Sequence, residues 1–280
     1  MQIIGICRFS YPADGGFQVE HSTRQERQNF LYDFARLNMR FSAFETLTLP
    51  SISAQSDPNF TFAVLIGDSL PTTFKERLYK ITKDVPQIKI VERPSGPYRQ
   101  VAQEVMNSLR DWNAPICAQF RLDDDDAVHL DFIAELRQAI RHHKALLGYN
   151  RRFAIDFSSG YAVIPSCKGL QAAPVKQRLW TPALAIVLRP KIARSILNYG
   201  HHRLHEFMPV LSLPHVTIFV RSFHGQNDSL ANRKQPEFAY SDLDDVLRSF
   251  SKKISISMKP LLKLLGPRFE LCLTPHGKKS

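Results

Sequence analysis

No apolar stretch in the 280 residues reaches the roughly 18 needed for a helix to span a bilayer. Cysteine is scarce. The four present, Cys7, Cys117, Cys167 and Cys272, form no CxxC pair. That spacing excludes a disulfide framework or a cysteine-based metal cluster as the organiser of the fold, and reduced thiols inside a cytosolic protein are expected. The opening segment MQIIGICRFSYP is interrupted early by Arg8 and Pro12, too soon for a secretory signal. Low-complexity tracts and repeats of about 20 to 50 residues are missing as well. Together these absences exclude fibrous, solenoid, disulfide-scaffold and helical membrane-spanning classes. A cytoplasmic globular protein is the expectation.

Apolar residues make up 44% and charged residues 22%, an ordinary globular mix. The net charge is +11, but it is unevenly spread. Between Ser251 and Ser280 stand Lys252, Lys253, Lys259, Lys263, Arg268, Lys278 and Lys279 against Glu270 alone, just over half of the excess. The rest of the chain is mildly basic, so no nucleic-acid partner is expected. Ile254, Ile256, Met258, Leu261, Leu262, Leu264 and Leu265 interleave with the tail's lysines. Such a stretch can lie on an anionic membrane surface, pack back on the domain, or form a subunit contact. Peripheral contact at the inner face of the membrane is therefore one expectation for this tail.

Ile3 to Cys7 and Phe62 to Ile66 are short apolar runs that read as buried strands, and Ile88 to Val91 and Ile116 to Leu122 read as a third and a fourth strand. Helical spacing separates them. Phe30, Phe34, Leu37 and Phe41 recur at three or four, Pro71 opens a segment through Leu78 and Ile81, and Val101, Val105 and Leu109 share a face. A further helix is marked by Phe132, Leu136 and Ile140. Strand and helix in alternation imply an α/β fold with a mostly parallel sheet. The second half is less regular. Phe153–Phe157 and Tyr161–Pro165 flank Ser158-Ser159-Gly160, which predicts a hairpin. Ala183–Leu188 and Val216–Phe223 read as strands, Lys191–Leu197 as a helix, and Lys168–Trp180 as a loop able to face an acceptor. Helices are also expected over Asp242–Phe250 and Ser257–Leu265.

The fourth strand runs directly into Asp123-Asp124-Asp125-Asp126. Four carboxylates this close repel one another, and a divalent cation, Mn2+ or Mg2+, would relieve the conflict. If the run stays extended, Asp123 and Asp125 face one way and Asp124 and Asp126 the other. In parallel sheets ligands sit beyond the carboxyl ends of the strands, where this run lies. Two enzyme classes place acids so. A haloacid-dehalogenase-like phosphatase would use Asp124 as nucleophile, with Asp126 and Val128 at the matching spacing, but its motif closes the first strand. A GT-A glycosyltransferase closes a strand about 100 residues in with a DxD motif after a nucleotide-binding half, and the position here agrees with that class. A non-enzymatic binder of anionic surfaces, acting through the basic tail, is a third possibility.

The chain resembles a bacterial family described as "putative rhamnosyltransferases" within the GT-A superfamily. The resemblance rests on an ordered set: Gly5-Ile-Cys-Arg-Phe-Ser10, Pro50-Ser-Ile-Ser-Ala-Gln55, Phe60-Thr-Phe-Ala-Val-Leu65 with Asp68 and Pro71, Tyr98-Arg99-Gln100, Arg121-Leu-Asp-Asp-Asp-Asp126 and His224-Gly-Gln-Asn227. It implies a GT-A domain over residues 1–230, with a nucleotide-binding half at 1–126, an acceptor half at 127–230 and a basic extension at 231–280. It implies a nucleotide-sugar donor, a divalent metal and a glycan or glycolipid acceptor, with inversion at the anomeric centre. Carried over by position, Asp123 and Asp124 with Arg8 and Arg99 face the donor, and Asp125 and His224 hold the metal. An inverting enzyme also needs a general base. Asp156, His205, Glu206 and His215 are the candidates, with Glu206 foremost. His201, His202 and His205 otherwise read as exposed polar residues. Trp112 and Trp180 read as packing residues that could also stack on a sugar.

Overall fold

The computed structural model describes residues 1–16, 21–166, 169–223 and 241–242. The helix expected over Ser257–Leu265 and the basic tail lie outside the described residues, as does the helix expected over Asp242–Phe250 apart from Asp242, which is in a strand. Twelve strands are named in chain order: β1 (Gln2–Arg8), β2 (Thr61–Gly67), β3 (Ile88–Arg93), β4 (Cys117–Arg121), β5 (Ala127–Val128), β6 (Arg152–Asp156), β7 (Ser159–Ser166), β8 (Gly169–Lys176), β9 (Leu184–Leu188), β10 (Val210–Ser212), β11 (Thr217–Ser222) and β12 (Ser241–Asp242).

Among the described residues these build two sheets. The larger has the order β10-β6-β9-β4-β1-β2-β3, and the smaller β12-β8-β7-β11-β5. In the larger sheet only β9 runs against its neighbours; β1, β2, β3, β4, β6 and β10 are mutually parallel. The expected α/β architecture, a mostly parallel sheet with flanking helices and a smaller mixed portion, is present. Strands from beyond residue 127 complete the large sheet.

The central strands β1, β2, β4 and β9 are buried on both faces along most of their length, as their largely apolar sequences require. Helices at Thr72–Thr82, Tyr98–Ser108 and Phe132–His142 supply the covering layers. Phe9, Phe41, Phe44, Phe62, Phe120 and Phe132 are fully buried in one cluster, and Ile4, Ile6, Val105, Met106 and Ile186 in another. The chain runs β1, β2, β3 outward on one side and then crosses to β4 on the other side of β1. The carboxyl ends of β1 and β4 thus form a switch point, where a crevice opens for ligand.

Gly5, in the middle of β1, makes this centre possible. A Cβ there would overlap the Phe120 ring and lie 2.6 Å from the Phe62 ring. Both rings are fully buried and stacked on each other with centroids 5.9 Å apart. Gly5→Ala is expected to lower stability by about 1–3 kcal/mol, since overpacking a tight core shifts side chains and backbone. A thermal melt checks this; an unchanged midpoint would show that the two rings can move aside.

Four expectations are corrected. Ser158-Ser159-Gly160 is no hairpin: β6 stays in the large sheet while β7 enters the small one and pairs antiparallel with β8. Glycine stands at 160 because β11 passes close by; a Cβ would lie 2.5 Å from the Phe219 carbonyl oxygen. Much of the expected loop Lys168–Trp180 is therefore strand β8. The helix expected at Lys191–Leu197 reduces to one 3₁₀ turn, Ile196–Asn198. The spacing from Phe30 to Phe41 covers two helices, Arg24–Leu31 and Phe34–Ala43, because Asp33 caps the second through the Arg36 N–H. Phe30 and Phe34 are exposed while Leu37 and Phe41 are buried.

Candidate functional site

The four aspartates form a turn beyond β4. The Asp126 N–H donates to the Asp123 carbonyl at 3.2 Å, so the run doubles back. The extended arrangement, with alternate residues sharing a side, is not present. Asp123 and Asp126 share one arginine instead, and Asp124 and Asp125 another.

Arg221, in β11, donates Nη1–H to Asp126 Oδ2 at 2.7 Å and to Asp123 Oδ2 at 3.1 Å. The Ser222 N–H donates to the other Asp126 oxygen at 3.0 Å. β11 is brought there by pairing with β5, the two residues that directly follow the run. Arg40 sits in the last turn of helix Phe34–Ala43. Its Nε–H donates to Asp124 Oδ2 at 2.9 Å and its Nη1–H to Asp125 Oδ2 at 3.0 Å, and its Nη2 meets the second Asp124 oxygen. That helix then widens into a π turn, Phe44–Thr48, a distortion common at functional sites. It brings the Thr48 hydroxyl to the Asp126 carbonyl at 2.8 Å.

Repulsion within the run is thus answered by fixed guanidiniums reaching in from two sides. Asp124 and Asp126 are 1% and 0% exposed, whereas the Asp123 side chain is 42% exposed. Burial works to raise the Asp123 carboxyl, but Arg221, Arg121 and Arg8 outweigh it and hold it below the usual range. Burial pushes the Asp126 carboxyl well above its usual range, against the pull of Arg221. Burial also disfavours charge on Arg221, but Asp126, Asp123 and Asp125 keep it firmly protonated.

The residues expected from sequence fall unequally around this centre. Arg8 belongs to it: its charge acts on Asp123, its guanidinium lies 4.7 Å from the centre of the Tyr98 ring, and Nη1–H donates to the Gly16 carbonyl at 2.9 Å. Arg99 is exposed in the first turn of helix Tyr98–Ser108, and Tyr98 is the residue of that pair which meets Arg8. Asp124 faces Arg40 with both oxygens and is enclosed, which leaves no room for the attack a phosphatase nucleophile makes. Asp125 is 3% exposed and turned to Arg40. His224 lies outside the described residues.

Among the candidate bases, Glu206 is on the surface in a fork with Arg203 at 2.6–2.9 Å, a bond that keeps its carboxyl below the usual range. His205 and His215 are exposed. Asp156 is buried, and both of its oxygens accept, from the Leu179 N–H at 3.0 Å and from the Ser212 hydroxyl at 3.1 Å. Trp180 packs beside Phe219 and Phe223, with centroids 5.9 and 6.0 Å away, and Trp112 is 43% exposed with Arg110 over its ring.

Arg40, Arg121 and Arg221 carry much of the site's charge and were not assigned from sequence. Among the described residues Arg121 makes one hydrogen bond, Nη2–H to the Thr181 hydroxyl at 2.9 Å. Its place at the strand end, directly before the acidic turn, was the signal available. Backbone strain collects nearby. Ser10, Leu179 and Ala183 have φ of 46°, 58° and 61°, the left-handed region, and all three lie at the carboxyl edge of the large sheet. Such outliers persist where surrounding structure holds them and are concentrated at functional sites.

No curated protein sequence matches the chain. Solved structures that resemble it include TarS residues 1–349 of S. aureus in complex with UDP-GlcNAc, at 10% identity and a TM-score of 0.46, covering 98% of this chain and 76% of that one. The same protein in complex with UDP gives 11% identity and 0.45 over 80% and 61%. A further structure of S. aureus TarS 1–349 gives 0.40 at 10% identity; this chain spans 60% of its length and is itself covered over 79%. A 4-diphosphocytidyl-2C-methyl-D-erythritol synthase from Anaerococcus prevotii gives 12% identity and 0.35 over 76% and 90%. Residues 2–236 match a family of glycosyltransferases described as "putative rhamnosyl transferase", and the chain belongs to that family.

Proposed function

We propose that this protein moves a sugar, rhamnose by its family's description, from a nucleotide-sugar donor to a glycan or glycolipid acceptor with inversion. The observation that carries the reading is the charge pattern at the switch point. Asp123 is the one aspartate of the run open to solvent, and Arg8, Arg121 and Arg221 act on it together. A diphosphate needs neutralising charge before it can leave, and guanidiniums supply it with directional hydrogen bonds. Arg121 has donors to spare for such a ligand.

Among the described residues no group of three or more His, Cys, Asp and Glu side chains converges to hold a metal by protein ligands alone. An Mn2+ or Mg2+ ion of the kind completed by substrate phosphates still fits, since such ions use one or two carboxylates. Asp123, backed by Asp125, would hold it, and the ion would act on the leaving diphosphate as a Lewis acid. Peripheral contact with a membrane through the basic tail would suit a lipid-linked acceptor; no described helix is long and apolar enough to cross one.

Thermal shift against UDP, GDP, dTDP and CDP, each with and without Mn2+, tests this reading. One diphosphate is expected to raise the melting midpoint, and more so with Mn2+. Saturation at about 100 times Kd is worth about 2.7 kcal/mol. If no diphosphate moves the midpoint, with or without the cation, the proposal fails.

A further inference from the structure

We infer that His201, through Nε2, is the general base that takes the proton from the acceptor hydroxyl, an inference that rests on the proposed sugar transfer. The first ground is geometric. His201 opens the 3₁₀ segment His201–Glu206, and its Nδ1 lies 2.6 Å from the Leu179 carbonyl oxygen. A carbonyl only accepts, so Nδ1 carries the hydrogen and Nε2 keeps its lone pair. Among the described residues no side chain or backbone group bonds to that Nε2.

The second ground is how firmly the ring is held. Leu179 is in the left-handed conformation, with its N–H on Asp156 and its carbonyl on His201. One strained peptide therefore joins a buried carboxyl to the imidazole. The next residues belong to the site: Thr181 accepts from Arg121, and Trp180 lies against Phe219 and Phe223. The third ground is elimination. Glu206 is bound to Arg203, Asp156 has both oxygens occupied, and His205 and His215 face solvent.

The charges facing the ring are Arg121 from β4, Arg221 from β11 and the adjoining His202. Burial and these cations bring His201 down to about 4, so it is neutral and able to accept a proton at physiological pH. A donor diphosphate beside Arg121 and Arg221 offsets their charge, so the ring becomes a stronger base once donor is bound. In the transfer, the acceptor O–H proton passes to Nε2 while the oxygen forms its bond to the anomeric carbon. The bond from that carbon to the diphosphate oxygen breaks, and the nucleoside diphosphate leaves with the electron pair. Water later removes the proton from His201.

The test compares wild type with His201→Gln and His201→Ala on UDP-, GDP-, dTDP- and CDP-linked sugars, with water as the acceptor. His201→Gln is expected to lower kcat by about 10²–10⁴-fold, the usual worth of a positioned base. Stabilisation by the matching nucleoside diphosphate should stay within twofold of wild type. The acid limb of the wild-type kcat profile, where rate falls as the base is protonated, should disappear. Added imidazole should restore part of the rate to His201→Ala, which a merely structural role does not predict. Activity in His201→Gln within threefold of wild type, or an unchanged acid limb, overturns the assignment. A wild-type protein that neither binds a diphosphate nor hydrolyses any of these sugars overturns the transferase reading itself, whatever the variants do.

Discussion

Asp123→Asn is expected to lower sugar transfer at least about 100-fold while leaving the fold intact. The substitution keeps shape and an oxygen for Arg221, so the hydrogen bond at 3.1 Å has a neutral replacement. It removes the negative charge that is open to solvent. Groups aimed at charge developing in a reaction are each worth about 10²–10³ in rate. The neighbouring aspartates should behave differently. Asp124 and Asp126 are enclosed and engaged with arginines, so replacing them should be read in the melting midpoint before the rate. Steady-state rates and thermal melts on the three Asp→Asn variants separate the two roles. If Asp123→Asn keeps transfer within threefold of wild type, the open carboxylate takes no part in the chemistry.

Arg221→Met is expected to cost about 3–5 kcal/mol, the typical loss when one member of a buried ion pair is removed. It strands Asp126, whose side chain is wholly buried, and takes a partner from Asp123. The melting midpoint should fall by roughly 10 °C for a chain of this size. Adding Asp126→Leu to Arg221→Met should recover part of the loss, because a buried pair replaced by apolar groups is often tolerated. The double-mutant cycle then gives the coupling between the two residues. An Arg221→Met protein that melts at the wild-type temperature would mean that water reaches Asp126 and the turn is not sealed.

The strands of the first half were legible because parallel strands buried on both faces appear as apolar runs, unbroken in Phe62–Ile66 and interrupted only by Gln119 in Cys117–Phe120. The acidic turn could be placed for the same reason: it follows the last of them. Its partners were not legible. Arg40 and Arg221 stand 84 and 95 residues from the aspartates they bind, and nothing in local sequence distinguishes them from other surface arginines. The Ser158-Ser159-Gly160 misreading has a related cause. A glycine required by a strand crossing from far along the chain looks the same as one required by a turn. His201 was hidden in a polar His201-His202-Arg203 stretch, and only the fold shows that one of these rings turns toward the Leu179 carbonyl while its neighbour stays exposed.

The reach of Arg221 across 95 residues also sets a timetable for biosynthesis. A ribosome adds about 5–20 residues per second. Once Asp126 has been made, about 5–20 s pass before its guanidinium is available. For that interval only Arg40, Arg121 and Arg8 are present to offset the acidic turn. The nascent first half can collapse around its phenylalanines, but its acidic corner cannot close until β11 has cleared the exit tunnel and docked. Pausing or truncation ahead of residue 221 should therefore leave a half-built sheet edge whose unbalanced acids would hold that corner open.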